Sequence, residues 1–130
     1  MAEPSAYAAS KLATVLFTTE LQRRLSAAGS PITTAAAHPG LVATNMTGQT
    51  TGLTRMLVRL MAQGPGEGAL PVLLAATGDI PGDSVTGPER FTHMLGGAEL
   101  IGRSKQAADA ALASRLSDAS ERMTGVSFPF

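Results

Sequence analysis

The longest regular pattern in this sequence is helical, and little that can form a sheet follows it. Apolar residues recur at helical spacing over 5–28, and Gly29 is a typical helix stop. The clearest strand candidate is the run "ITTAAAH" at 32–38, which ends at Pro39-Gly40. One or two strands do not make a stable sheet alone. The sequence therefore predicts an α/β chain, helix-rich with one or two strands, that is one part of a larger fold.

The rest of the chain predicts further helices separated by loops, and we treat residues 1–130 as a single unit. Pro71 lies inside the helical pattern from about Gly66 to Thr77, so we expect that helix to be kinked or to start late. The segment 79–102 is Gly-rich and irregular. The elements predicted after the first strand are a Thr- and Gly-rich loop with a short amphipathic helix over 39–62, a helix from about Gly66 to Thr77, one short strand near 89–94, and a last helix over 105–119.

Composition and charge exclude several classes of protein. The hydrophobic share of 44% is enough for a core, and the charged share of 15% argues against disorder. Ten basic and ten acidic residues leave no net charge, and nothing indicates nucleic-acid binding. The chain has no cysteine, which excludes disulfides and thiolate metal sites and fits a reducing, cytoplasmic location. No apolar run approaches the roughly 20 residues of a membrane span, and the N-terminus lacks a signal-peptide pattern.

Tyr7 and Lys11 stand four residues apart in the stretch "AYAASKLA", and this spacing places both side chains on one face of the first helix. A cation held near a tyrosine favours the phenolate and lowers its pKa from the usual value near 10. Such a tyrosine exchanges a proton with a carbonyl or alcohol oxygen near neutral pH, which hydride transfer to or from a nicotinamide requires. The same spacing also occurs by chance on helix surfaces, so the pair alone leaves both interpretations open.

Three separated motifs resemble the short-chain dehydrogenase/reductase family, and they occur in that family's order. The stretch "AYAASKLATVLFTTELQRRL" resembles its active-site helix with the Tyr-x-x-x-Lys signature, and "AAAHPGLVATNM" resembles its strand-end motif, Pro-Gly followed by an apolar residue and Thr. The tail "RLSDASERMTGVSF" resembles the retinol-dehydrogenase-like branch, although it lacks the aromatic residue that often follows the position of Leu116. The resemblance covers nearly the whole chain. It implies the C-terminal half of a Rossmann-type doubly wound fold without its N-terminal nucleotide-binding half.

The resemblance implies a role for each matching residue. Tyr7 would be the general acid/base, and Lys11 would hold the nicotinamide ribose hydroxyls and lower the Tyr7 pKa. Ser10 would only flank the pair, and residues from about 45 to 62 would form a substrate lid. The positions along the nicotinamide would be Pro39, Gly40, Val42 and Thr44, with the Val42 backbone and the Thr44 hydroxyl near its carboxamide. Without the resemblance, Pro-Gly is a plain turn signal and the threonine a turn hydroxyl.

The resemblance also predicts parts that this sequence does not contain. The family's catalytic serine and asparagine would lie before Tyr7, as would the Gly-rich turn that holds the pyrophosphate. The stretch "GPGEGA" at 64–69 formally fits G-x-G-x-x-A, but it follows a helical segment instead of a strand and contains Pro65. We therefore interpret it as a helix start, with Glu67 favourable in the first turn. We expect a chain shortened by truncation or a misassigned start, with weak or no coenzyme binding alone.

The other polar candidates favour structural roles. His38 closes an apolar strand, and His93 has no partner at metal-ligand spacing, so no metal site is predicted. Asp83 is interpreted as an ordinary turn residue. Arg23-Arg24 is interpreted as a solvated helix face.

Two functional hypotheses follow from the motifs. In the first, the chain is part of an NAD- or NADP-dependent oxidoreductase that moves a hydride between the nicotinamide and a small hydrophobic carbonyl or alcohol. In the second, it is a non-catalytic module derived from that family, or a half-enzyme that works with a separate nucleotide-binding chain. A homo-oligomer formed through the helix over 5–28 is expected, because its apolar stripe suits a partner helix. A plain helical domain with accidental motifs is the third alternative.

Overall fold

The computed structural model describes residues 5–40, 42, 63–90 and 92–128. The three described strands form one sheet in the order β1-β2-β3. The predicted α/β class is confirmed, with one strand more than the largest number predicted, and β1 covers part of the strand expected over 32–38. Apart from residues 39, 40 and 42, the predicted loop and lid helix lie outside the described residues. The elements are α1 (Ala6–Ala27), β1 (Ala35–Ala37), α2 (Pro65–Thr77), β2 (Ser84–Gly87), β3 (Glu99–Leu100) and α3 (Ala110–Thr124).

Both ends of α1 carry the capping signals that its sequence contains. At the start, the Ser5 hydroxyl accepts the Ala8 N–H at 3.3 Å. At the end, Gly29 is left-handed, with a φ of 67°, and the Ser30 N–H donates to the Leu25 carbonyl at 3.0 Å. This pattern is the Schellman motif, which satisfies carbonyls that a helix end otherwise leaves unpaired. The predicted helix is therefore confirmed to within one residue at each end.

The described chain divides into two compact units. The first combines residues up to 36 with 81–83 and those from 102 onward, and the second combines 37–80 with 84–101. In the first unit, α1 packs against α3. The buried apolar side chains of this unit are Leu16, Leu25, Ala107 and Ala113. The assignment of residues 1–130 to one catalytic domain stays a prediction.

The C-terminal helix lies further along the chain than predicted. We expected it over 105–119, whereas α3 begins at Ala110 and ends at Thr124. The Asp109 carboxylate accepts the Leu112 N–H at 3.0 Å and so caps the first turn. The predicted start was wrong because residues 105–108 have good helix propensity, although they precede the Asp109 cap and do not belong to the helix.

α2 begins at Pro65, one residue before the predicted start, and continues through Pro71. The expected late start does not occur, because proline suits the first helical position and the Glu67 carboxylate accepts the Gly64 N–H at 3.1 Å. Pro71 is buried, and its carbonyl accepts the Thr86 hydroxyl at 2.8 Å. This bond joins α2 to β2 inside the second unit.

β2 and β3 form an antiparallel pair, with Thr86 opposite Leu100. They replace the single strand predicted near 89–94, which was wrong. In that segment residues 92–94 form a turn, and the Arg90 N–H donates to the Leu95 carbonyl at 2.9 Å. Two of its described residues have positive φ, a conformation that extended strands do not contain.

Candidate active site

Tyr7 and Lys11 occupy the first two turns of α1, and their side chains meet on one face of the helix. The Lys11 Nζ lies 5.4 Å from the centre of the Tyr7 ring, within cation–π distance. Tyr7 is 64% exposed, and Lys11 is exposed as well. The structure therefore places the two side chains together, as their spacing predicts, with both open to solvent.

The backbone beneath the pair is a regular, capped helix. Ser5 caps it two residues before Tyr7, and the Ser10 hydroxyl donates to the Tyr7 carbonyl at 2.8 Å. Ser10 therefore bonds to the helix backbone, which agrees with a position that only flanks the pair. A phenol can donate or accept a proton, and an ammonium offers three donors. Together they suit a substrate oxygen and a neighbouring diol.

The side of α1 that faces α3 contains a buried charge. Glu20 is 2% exposed, and its carboxylate accepts hydrogen bonds from Arg23 at 2.6 and 2.8 Å and from Arg24 at 2.9 Å. The hydrogen bond from Arg23 is the largest cause that lowers the pKa of Glu20 to about 2; burial opposes it, and Arg24 reinforces it. Arg24 also donates to Glu121 on α3. This buried network links α1 to α3 through the C-terminal half of α1, away from Tyr7.

The prediction of a solvated face at Arg23-Arg24 is wrong for the second arginine. The Arg24 side chain is 17% exposed, against 57% for Arg23. The sequence signal for this network was a glutamate three and four residues before two arginines. Its burial depends on α3, which the local pattern does not reveal.

A second polar cluster joins α1 to two distant segments of the first unit. Asp83 accepts hydrogen bonds from Arg103 at 2.8 and 2.9 Å and from the Thr19 hydroxyl at 2.8 Å. The aspartate sits in a left-handed turn with a φ of 64°, so its prediction as a turn residue is confirmed. Sequence reasoning missed the bidentate ion pair, because its two partners are far apart along the chain.

Within the Pro39–Gly40 turn of the second unit, Gly40 is closely packed, whereas Pro39 is exposed. Gly40 has a φ of 73°, and a Cβ built on it would lie 2.5 Å from the Met94 carbonyl oxygen and 2.7 Å from Cγ of Pro88. Any side chain there would be strained in conformation and obstructed in space. The position therefore requires glycine for its surroundings as well as for the turn.

Val42 packs against the first turn of α2. A Cβ built on Gly68 would collide with the Val42 side chain, so this glycine makes the close approach possible. Gly68 belongs to the "GPGEGA" stretch, and α2 begins within that stretch. Its interpretation as a helix start is confirmed.

The two histidines lie in the second unit. The His38 N–H donates to the Thr86 carbonyl at 2.7 Å. His93 Nδ1 lies 3.0 Å from the Pro88 carbonyl oxygen and 3.5 Å from the Glu99 carboxylate, a neighbour that its sequence position did not indicate. Among the described residues, no group of three or more His, Cys, Asp or Glu side chains could hold a metal ion.

The predicted site residues belong to different units. Tyr7 and Lys11 lie in the first unit, Pro39, Gly40 and Val42 lie in the second, and Thr44 lies outside the described residues. Their union in one site stays a prediction. Within the described ranges, no helix combines the length and the apolar content needed to cross a membrane.

Comparisons with known proteins agree on one family. A family model described as short chain dehydrogenase matches residues 1–54. The human protein named polyprenol dehydrogenase is 42% identical over 76 residues, which are 55% of this chain and 23% of that protein. The short chain dehydrogenase/reductase dpmpH of Macrophomina phaseolina is 39% identical over 77 residues, which are 58% of this chain and 38% of that protein.

A solved structure extends the similarity over most of the chain. The crystal structure of an uncharacterised protein from Mycobacterium paratuberculosis matches with a TM-score of 0.73 and 44% sequence identity. The match covers 96% of this chain and 40% of that one. The predicted fold class, part of a Rossmann-type α/β fold, is confirmed. The chain spans between about a quarter and two fifths of the length of these relatives.

Proposed function

The chain belongs to the short-chain dehydrogenase/reductase family, and on that premise we propose that it carries the proton-transfer residues of an NAD(P)-dependent oxidoreductase. The reaction is a reversible hydride transfer between a nicotinamide and a carbonyl or alcohol. When bound, the coenzyme supplies or accepts the hydride at carbon. The residues of this chain donate or accept the proton at the substrate's carbonyl or alcohol oxygen.

The single observation that carries the proposal is the exposed Tyr7–Lys11 pair. Tyr7 donates its hydroxyl proton to the carbonyl oxygen in reduction, or takes the proton of the alcohol in oxidation. Lys11, whose Nζ lies 5.4 Å from the Tyr7 ring, holds the ribose hydroxyls through its ammonium donors. Both residues are exposed to solvent, as access by an incoming coenzyme and substrate requires.

The chemistry of the available groups fits a nicotinamide coenzyme. A lysine ammonium has donors and no acceptor, which suits the acceptor oxygens of a ribose diol. In the second unit, Gly40 and Val42 are held by close packing. Together with Pro39 they would lie along the nicotinamide, with Thr44 near its carboxamide. The proposal covers NAD and NADP equally, since no residue assigned here distinguishes them.

We propose a hydrophobic alcohol or its carbonyl counterpart as the substrate. Two relatives, from human and mouse, are named polyprenol dehydrogenases, and each matches this chain at 41–42% identity. A polyprenol is a long apolar alcohol, so the names support a substrate of that chemical class. The match spans 23% of those proteins.

The test is Tyr7→Phe in the protein expressed from its native gene. We expect turnover with an apolar alcohol and NAD(P) to fall by about 100-fold or more, the usual effect of losing a general acid/base. Coenzyme affinity should remain within about threefold, because the ring and Lys11 are kept. Ser10→Ala, which removes a neighbouring hydroxyl of α1, is the control and should retain turnover. Full turnover in Tyr7→Phe would exclude the proton-transfer role.

A second candidate is a module that acts through association with another chain. The observation that favours it is the apolar surface of α2, where Leu70, Val72 and Leu73 are 39%, 51% and 54% exposed. Contiguous exposed apolar side chains commonly mark an interface. Sedimentation velocity with a hydrophobic dye tests it: the candidate predicts a dimer or larger species. A monomer that binds no dye would count against it and against the oligomer expected through the helix over 5–28.

A further inference from the structure

We propose that Gln63 is a positioning residue for the coenzyme-facing turn at Pro39–Gly40. The inference rests on the proposed function, because that function is what brings a nicotinamide to this turn. Gln63 is 5% exposed and belongs to the second unit, as does the turn itself. Gln63 belongs to none of the three sequence motifs that resemble the family.

Both ends of the Gln63 side-chain amide are engaged by backbone groups. Its Nε2 donates to the Pro39 carbonyl at 2.8 Å, and its Oε1 accepts the Gly96 N–H at 3.0 Å. One buried side chain therefore joins two turns that are distant in sequence. A buried amide that is satisfied at both ends favours a single arrangement of its partners.

The two turns joined in this way each contain a glycine with a positive φ, a conformation that other residues rarely adopt. Gly40 has a φ of 73°, and Gly96 has a φ of 99°. Gly40 also approaches the Met94 carbonyl so closely that no side chain fits. Glycine has more conformational freedom than any other residue, so contacts are needed to hold these turns in one conformation, and Gln63 supplies hydrogen bonds that do so.

The backbone of Gln63 reinforces the same link. Gln63 and Val42 form a parallel β-bridge, and the Val42 side chain packs on Gly68 at the start of α2. Gln63 thus contacts both sides of the turn, through its side chain at Pro39 and through its backbone at Val42. A group that must meet the nicotinamide within a few tenths of an ångström depends on such support.

Two substitutions separate positioning from simple packing. Gln63→Met keeps a similar shape and loses both side-chain hydrogen bonds. Gln63→Glu keeps an acceptor for the Gly96 N–H but cannot donate to Pro39 from its carboxylate. Gln106→Met is the matched control, since Gln106 is an exposed glutamine of the first unit.

The experiment uses the protein expressed from its native gene and has two readouts. The first is amide hydrogen exchange in the peptide that contains Gly40 and Val42. The second is the dissociation constant of NADH and of NADPH, followed by coenzyme fluorescence, together with kcat at saturating coenzyme. We expect about tenfold faster exchange and about tenfold weaker coenzyme binding in Gln63→Met, the effect of losing one to two hydrogen bonds. kcat should change by less than about threefold, and Gln63→Glu should resemble Gln63→Met.

The outcomes distinguish this inference from the proposed function. Unchanged exchange in Gln63→Met overturns the assignment of Gln63, whatever the coenzyme does. Faster exchange with unchanged coenzyme binding, or equal effects in Gln106→Met, overturns its link to the coenzyme. If the unsubstituted protein binds neither NADH nor NADPH, the proposed function fails and the coenzyme part of the inference fails with it. Faster exchange in Gln63→Met would then still indicate that Gln63 stabilises the Pro39–Gly40 turn.

Discussion

The Nε atom of Arg24 lies 2.9 Å from Oε1 of Glu20, a carboxylate that is 2% exposed. The same guanidinium donates to Glu121 on α3. The pair therefore forms a charged link between the helix that carries Tyr7 and the C-terminal helix. This charged link holds α1 against α3 in addition to the packing between the two helices.

Glu20→Gln tests the strength of this link. We expect the free energy of unfolding to fall by about 2–3 kcal/mol, because removing one partner leaves a partly buried arginine with less compensation. Urea unfolding measures the change. Glu89→Gln is the matched control: its side chain is 43% exposed beside Arg90, so we expect a loss below about 0.5 kcal/mol. Equal losses in the two variants would contradict a special role for the buried network.

The same carboxylate predicts a pH dependence of stability. The pKa of Glu20 is lowered from 4.5 to about 2 in the folded chain, so the unfolded state binds this proton more readily. Its stabilising contribution is complete above about pH 4.5 and is lost as the pH falls toward about 2. The difference in unfolding free energy between the unsubstituted protein and Glu20→Gln should therefore narrow across this window. Urea unfolding in steps from about pH 6 to pH 2 measures it, and a constant difference would contradict the assignment.

Gly40→Ala tests the close approach at the Pro39–Gly40 turn. Gly29→Ala is the control, since Gly29 has a similar positive φ of 67° but nothing within 4 Å of a built Cβ. We expect a loss of about 1 kcal/mol in the control from backbone conformation alone. Gly40→Ala should lose at least about 1 kcal/mol more, because its Cβ meets the Met94 carbonyl oxygen. Thermal unfolding compares the two, and equal losses would show that the turn has room to adjust.

Lys11→Met tests the role proposed for the ammonium group. Lys105→Met is the control, because Lys105 is the other lysine of the chain and is also exposed. In the protein expressed from its native gene, we expect Lys11→Met to raise the KM for NAD(P) by about tenfold and to lower kcat as well. Steady-state kinetics at varied coenzyme give both values. A similar effect in the two variants would show that losing either positive charge weakens coenzyme binding, and it would contradict a specific contact between Lys11 and the ribose.

Several features of the fold and of the candidate site follow from short stretches of sequence. Ser5 and Gly29 mark the ends of α1 because caps act within one turn of the helix. The spacing of Tyr7 and Lys11 predicts their common face because residues four positions apart are neighbours on the surface of a helix. The strand predicted near 89–94 was wrong because its composition does not reveal the positive φ values that make it a turn.

The sequence by itself determined the ends of α1 and the common face of Tyr7 and Lys11, since each depends on residues a few positions apart. Only the tertiary structure decided the contacts of buried polar groups. Arg24 meets Glu121 97 positions away, and Gln63 meets Gly96 33 positions away. Such pairs form because packing removes their groups from water, and a buried polar group must then find a partner wherever the chain brings one.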